Sequence, residues 1–178
     1  ELIYEQQNFK CWGLDVVPKF NDITQSIATL LKQRNETIAV VESSAGGLIS
    51  ASLLSVSGAS SYFIGGIVSY TGVSRGILLG ITDQDLVTMG MRASTESYAQ
   101  LLAGVIREKF GTTWGICETG ASGPTGNRYG DSAGHVCLAI SGPVDTVATY
   151  ETEQGDREAN MWAFAAKGLE MLEACLKE

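Results

Sequence analysis

Thr37-Ile-Ala-Val-Val-Glu42-Ser-Ser-Ala-Gly-Gly47 is the stretch on which the fold turns. Ile38, Ala39, Val40 and Val41 form an apolar run too short for a helix and without polar alternation. Such a run reads as a strand covered on both faces, the kind found in a parallel sheet. Beyond the small polar residues, Leu48, Ile49, Leu53 and Leu54 fall at helical spacing, with Ser43 or Ser44 placed to cap that helix. A strand feeding a helix through a small-residue junction is the unit of a layered α/β domain.

Working outward, Asn21 or Asp22 can cap a helix whose apolar face is Ile23, Ile27, Leu30 and Leu31, broken at Asn35-Glu36. Gly65-Gly-Ile-Val-Ser-Tyr70 reads as a second strand, and residues 71–79 as a short helix closed by Gly80. Ser94 opens a long helix with Tyr98, Leu101, Leu102, Val105 and Ile106 facing inward. Trp114-Gly-Ile-Cys-Glu-Thr119 is the next strand, followed by a glycine-rich loop. His135-Val-Cys-Leu-Ala-Ile140 and residues 146–150 have the spacing of an antiparallel hairpin turning at Gly142-Pro143, and Asp156 caps a final helix. The pattern predicts one domain over residues 21–178, a three-layer α/β/α sandwich with a mixed, mainly parallel sheet. Residues 1–20 read as an N-terminal arm, with Trp12 and Phe20 able to dock it.

Composition narrows the partners. A chain of 178 residues with 44% hydrophobic and 18% charged residues supports a packed core and excludes a disordered class. The net charge is −8 and the 12 basic residues never form a run, which argues against phosphate-backbone binding to nucleic acid. No apolar stretch approaches the ~20 residues of a membrane span. A small anionic ligand needs only two or three converging arginines and stays in play. Cys11, Cys117, Cys137 and Cys175 form no CxxC pair. Reduced thiols and a cytoplasmic protein are expected. One histidine and no carboxylate cluster predict no metal, and no cofactor is called for.

Ligands of open α/β sheets bind beyond the carboxyl ends of the strands, where three segments here are richer in small polar residues than turns require. At Glu42-Ser-Ser-Ala-Gly-Gly47, a serine could act as nucleophile with helix-start amides as oxyanion donors, or it could simply cap while Gly46 and Gly47 permit close packing. The motif is not a GxSxG elbow. Ser69-Tyr-Thr-Gly-Val-Ser-Arg75 offers Tyr70 and Arg75. Thr119-Gly-Ala-Ser-Gly-Pro-Thr-Gly126, continuing to Gly134, permits backbone approach to an anion but lacks the Walker arrangement. Arg157, after the capping Asp156, can point at a phosphate. His135, on an apolar strand, reads as a satisfied core histidine before a base.

In this order the segments resemble the CinA C-terminal domain family. The family pattern is ESCTGG, a GSS turn, GGxVxYSNxxK, TGxAGP, GTV and a final GDR. The matching stretches are Glu42-Ser-Ser-Ala-Gly-Gly47, Gly58-Ala-Ser-Ser61, Gly65 through Arg75, Thr119-Gly-Ala-Ser-Gly-Pro124, Gly134-His-Val136 and Gly155-Asp-Arg157. The resemblance implies a metal-independent serine–lysine amidohydrolase that converts the carboxamide of nicotinamide mononucleotide to a carboxylate and ammonia. It would place Ser43 as nucleophile, Tyr70 as proton or orientation partner, and Arg75 where the family has its lysine base. Glu42, Ser44, Gly46, Gly47, Thr119, Gly120, Gly123, Pro124 and Arg157 would contact substrate. The implied partners are a small anionic ligand such as a pyridine mononucleotide, with homo-oligomers allowed. Bacterial relatives often carry a molybdopterin-binding-like domain ahead of this one; its lack here implies a stand-alone protein.

The departures matter as much. A guanidinium stays protonated in proteins, so Arg75 cannot serve as general base, a function typically worth ~10²–10⁴ in rate. Ser44-Ala45 replaces Cys-Thr, Met161 stands where relatives often have a second arginine, and His135 replaces the threonine of GTV. Two readings follow: an impaired or altered amide hydrolase, or a non-catalytic small-molecule binding protein using the same pocket. Both require Ser43, the loop near Gly123 and Arg75 to wall one cavity.

Overall fold

Ile38 and Val40 point into one hydrophobic cluster while Ala39 and Val41 point into another, so the strand that carries them has a core on each side. The computed structural model describes residues 20–178; the expected arm lies outside the described residues except for Phe20, which packs its ring on Trp162 at 5.8 Å. The chain runs α1 (Asn21–Arg34), β1 (Ile38–Glu42), α2 (Leu48–Leu54), a 3-10 turn (Ala59–Ser61), β2 (Phe63–Val68), α3 (Gly72–Leu79) and α4 (Asp83–Thr88). It continues through α5 (Glu96–Phe110), β3 (Trp114–Ala121), β4 (His135–Ser141), β5 (Thr146–Glu151) and α6 (Arg157–Lys177).

The sheet order is β2-β1-β3-β4-β5. β1 pairs in parallel with β2 and β3, and β4 is antiparallel to both β3 and β5. Four strands therefore run one way with β4 reversed, a mixed sheet as the sequence predicted. Ile27, Leu31, Ile49, Leu53, Phe164 and Leu172 of α1, α2 and α6 cover one face. Leu79, Leu86, Tyr98, Leu102 and Ile106 of α3, α4 and α5 cover the other. Each such side chain contributes about 1.5–3 kcal/mol by leaving water. α5 lies close on the sheet: a Cβ on Gly115 would stand 2.1 Å from the Ala103 carbonyl oxygen.

Four local readings are corrected. Neither Asn21 nor Asp22 caps α1, whose first residue is Asn21; Phe20 occupies the cap position with no side-chain cap bond. Neither Ser43 nor Ser44 caps α2; residues 43–47 form a turn, and Gly47, at φ +99°, occupies the cap position. The long helix is capped by Thr95, whose hydroxyl accepts from the Tyr98 amide, while Ser94 sits at φ +58° just outside it. α4 is an element the periodicity did not predict. It buries only Leu86 and is held by a capping box between Thr82 and Asp85. No described helix is long and apolar enough to cross a membrane, and Cys117, Cys137 and Cys175 are free and buried.

Candidate functional site

The carboxyl ends of β1, β2 and β3 open at one end of the sheet, and β4, being reversed, starts there at His135. Two cavities lie in this region. Ser43, Tyr70, Arg75, Thr119 and Arg128 line the first, of about 330 Å³. Ser44, Ser122, Gly123, Asn127 and Arg157 line the second, of about 220 Å³. Tyr70, Gly120 and Asn127 border both, so the two are neighbours across those residues. Ser43 and Arg75 wall the first cavity and Gly123 the second, so the three do not share one cavity as expected but stand around two that adjoin.

The serine turn is organised by two buried carboxylates. Glu42 is wholly buried. Its oxygens accept from the amides of Gly47 (3.0 Å), Ile49 (2.9 Å) and Ser50 (2.9 Å) and from the Ser50 hydroxyl (2.7 Å). It supplies the cap that the serines were expected to supply. Glu118, on β3, is 1% exposed. It accepts from the amides of Ser43 (2.9 Å) and Ala45 (2.8 Å) and from the Ser44 hydroxyl. Burial pushes its carboxyl up to about 7, against the pull of Ser44 and the two amides and with an added push from Glu42. These bonds correct two expectations: the amides of Ser43, Ala45 and Gly47 are occupied by the protein's own carboxylates rather than open to an oxyanion, and Glu42 is buried among bonds to α2 and lines neither cavity.

Gly46 and Gly47 also line neither cavity. A Cβ on Gly46 would come within 2.8 Å of the Met161 methyl, so the residue replacing the family's second arginine presses on the turn. Pro124 likewise lines neither cavity.

Arg75 is 3% exposed. Its Nε donates to the Ile81 carbonyl at 2.9 Å, a terminal nitrogen pairs with Asp83, and the group lies 5.9 Å from the Tyr98 ring centre. Burial works against its charge, but Tyr98 and Asp83 outweigh it and the pKa moves up. Arg75 stands at the cavity as a fixed cation.

Arg157 donates to the Gly123 carbonyl (2.8 Å) and to the Tyr70 hydroxyl (3.0 Å), joining the ends of β2 and β3. The loop beyond is held from the other side, where Arg92 grips the Asp131 carboxylate with two bonds of 2.6 and 2.9 Å. Asn160, wholly buried, donates to the carbonyls of Ser122 (2.8 Å) and Gln154 (2.9 Å). Among the described residues neither Arg128 nor Arg157 pairs with a carboxylate, leaving two cations at the cavities for an anion. No group of three His, Cys, Asp or Glu residues is placed to hold a metal among the described residues.

His135 is bound as the core-histidine reading expected. Nδ1 faces the Glu151 carboxylate at 2.5 Å and Nε2 faces the Ser94 carbonyl at 3.1 Å. Both partners are acceptors, so each favours a proton on the ring nitrogen that it faces. Burial lowers its pKa, but Glu151 and Ser94 outweigh that and the net shift is upward.

A structurally central residue, Glu118, was passed over in the sequence. Its signal was a lone carboxylate inside an otherwise apolar strand, directly before Thr119-Gly120. Ser69 and Ser122 were also missed: both are buried, and neither hydroxyl has a partner among the described residues.

All the ordered motifs except Gly58–Ser61, which precedes β2 at the opposite end of the sheet, now have a common location, and the CinA C-terminal domain model matches residues 20–176. The chain belongs to the CinA C-terminal domain family. A CinA-like protein of Nostoc sp. (strain PCC 7120) is 35% identical over 144 residues, covering 80% of this chain and 34% of that protein. One of Acaryochloris marina is 37% identical over 143 residues, again 80% and 34%. The chain spans about a third of the length of these relatives. Among solved structures, a Competence-Damaged Protein (CinA) superfamily protein of Klebsiella pneumoniae superposes with a TM-score of 0.80 at 22% identity, over 88% of this chain and 96% of that one. The competence/damage inducible protein CihA of Agrobacterium tumefaciens gives 0.76 at 26%, over 88% and 94%.

Proposed function

We propose that this CinA-type domain is a metal-independent hydrolase of a small carboxamide carrying an anionic group, the class to which nicotinamide mononucleotide belongs. The observation that carries the reading is the pair of buried hydroxyls, Ser69 on the first cavity and Ser122 on the second, unpartnered among the described residues. A buried hydroxyl left unpaired costs about 1–3 kcal/mol, so each favours a polar occupant of its cavity, and a ligand that displaces solvent there gains by bonding it. Arg128 and Arg157 add charge for a phosphate or carboxylate, and Tyr70, on both cavities, can orient the bound group.

Arg75 favours the second reading, a binding protein without turnover, because a guanidinium bonded to Asp83 and Ile81 takes up no proton. Incubation with nicotinamide mononucleotide and related carboxamides, following ammonia, separates the two. Hydrolysis above the uncatalysed rate supports the hydrolase. A ligand-dependent rise in Tm without ammonia supports binding alone, and neither response to any member of the panel defeats both.

A further inference from the structure

Two serines stand side by side in the turn after β1, and they differ in what their hydroxyls can do. Ser43 donates its amide to Glu118, but its hydroxyl makes no bond to that carboxylate. Ser44 donates its hydroxyl to Glu118 Oε1 and lines the second cavity while only 4% exposed. A hydroxyl bonded to a buried carboxylate and facing a cavity has the relation of a nucleophile to its base. The family resemblance points elsewhere, to Ser43 with a lysine, and the lysine is gone.

We propose that Ser44 is the nucleophile in this chain and Glu118 its general base, in place of Ser43 and the missing lysine. This rests on the hydrolase reading above. The rest of the neighbourhood is consistent with it. Glu118 cannot swing away, because its other oxygen is fixed by the amides of Ser43 and Ala45. Its carboxyl titrates at about 7, where a base both exists as the carboxylate and accepts a proton readily. Glu42 is the titratable group that faces it from β1 and raises it, while the adjoining Cys117 thiol is itself pushed well up by burial and stays neutral. Gly120 is required first by β4, where a Cβ would stand 2.3 Å from the His135 carbonyl oxygen, and the same lack of a side chain keeps the space beside Ser44 Oγ open, 3.1 Å from that Cβ position. The Ser122 hydroxyl, 2% exposed and unpartnered among the described residues, lines the same cavity and is free to donate to a developing oxyanion.

The chemistry balances with water as the only co-reactant. Ser44 Oγ attacks the carboxamide carbon as its proton passes to Glu118. The tetrahedral intermediate collapses when Glu118 returns that proton to the amide nitrogen, the C–N bond breaks, and ammonia leaves with Ser44 acylated. Water, giving a proton to Glu118, attacks the ester. Ser44 leaves as its oxygen regains that proton, and the product acid is released.

A small fluorophosphonate tests the pair independently of substrate. On the intact protein, tandem mass spectrometry should place the adduct on Ser44, with a labelling rate that rises about tenfold or more from pH 5.5 to 8. Ser44→Ala should abolish the adduct. Glu118→Gln, folded by its thermal melt, should slow labelling at pH 8 at least tenfold and flatten the pH profile. An adduct on Ser43, no adduct in folded wild type, or unchanged labelling in Glu118→Gln overturns the proposal. Ammonia release judges the hydrolase reading separately: an adduct on Ser44 without ammonia keeps the pair and removes the amidase, whereas ammonia without that adduct does the reverse.

Discussion

β1 ends on a buried glutamate, the neighbouring strand β3 carries a second within its length, and the two are used differently. Glu42 spends both oxygens on Gly47, Ile49 and Ser50, all within eight residues of itself. Glu118 reaches across the sheet to a turn more than seventy residues away and shares one oxygen with a hydroxyl at a cavity. Four local donors make a carboxylate a structural cap. Three donors, one of them a hydroxyl at a cavity wall, leave it chemically addressable. The same residue type in the same layer can thus serve architecture or chemistry, according to where its donors come from.

The widest separation between the two should appear on truncation. Glu42→Ala strands the buried Ile49 amide and the half-buried amides of Gly47 and Ser50, at about 1–3 kcal/mol for a buried donor, and a loss of roughly 3–5 kcal/mol in urea unfolding, or failure to fold, is expected. A loss below about 1 kcal/mol would erase the distinction from Glu118.

The second test is pH. Glu118 has a carboxyl raised to about 7 in the folded chain from the usual 4.5. The native state therefore binds the proton more tightly than the unfolded one, and stability falls as pH rises between those values. At about 1.4 kcal/mol per pH unit the upper bound is about 3 kcal/mol, read from urea midpoints at pH 5 and 8. Glu118→Gln should remove most of that slope, and a slope that persists would assign it to other groups.

Arg75→Lys comes next. A lysine cannot reach both Ile81 and Asp83 as the guanidinium does, so a loss of about 1–2 kcal/mol is expected. No gain in ammonia release should follow, because Asp83 would hold the new amine protonated. A gain would restore the family's lysine to the mechanism and sharpen the case against Glu118.

The smallest effect concerns His135, the only histidine, whose single ring signal can be followed by NMR. Its pKa should lie above 6.5 and fall in Glu151→Gln. The stability it contributes is present below the unfolded value and lost as pH rises through the folded one.

Much of the fold was readable because periodicity records which face is covered. The unbroken run in β1 announced its two-sided burial, and the turn signal at Gly142-Pro143 announced the β4-β5 hairpin. α4 was missed because one buried leucine makes no stripe, its ends being set by hydroxyl and carboxylate caps instead. At the site, the loops were found and the wiring was not. Glycine and serine clusters mark where a chain can approach a ligand, but whether Ser43 or Ser44 meets Glu118 depends on how residues 43–47 turn. That is decided by tertiary bonds the linear pattern does not carry. That a guanidinium is no base follows from its chemistry alone, whereas the attachment of Arg75 to Asp83 needed coordinates.

Arg157 holds the Tyr70 hydroxyl and the Gly123 carbonyl with separate nitrogens, so one guanidinium spans the rim between two loops. Each of those nitrogens keeps a second N–H, so an incoming phosphate or carboxylate can meet this cation with both tethers in place, and the clasp that steadies the two loops is also the charge that greets the guest.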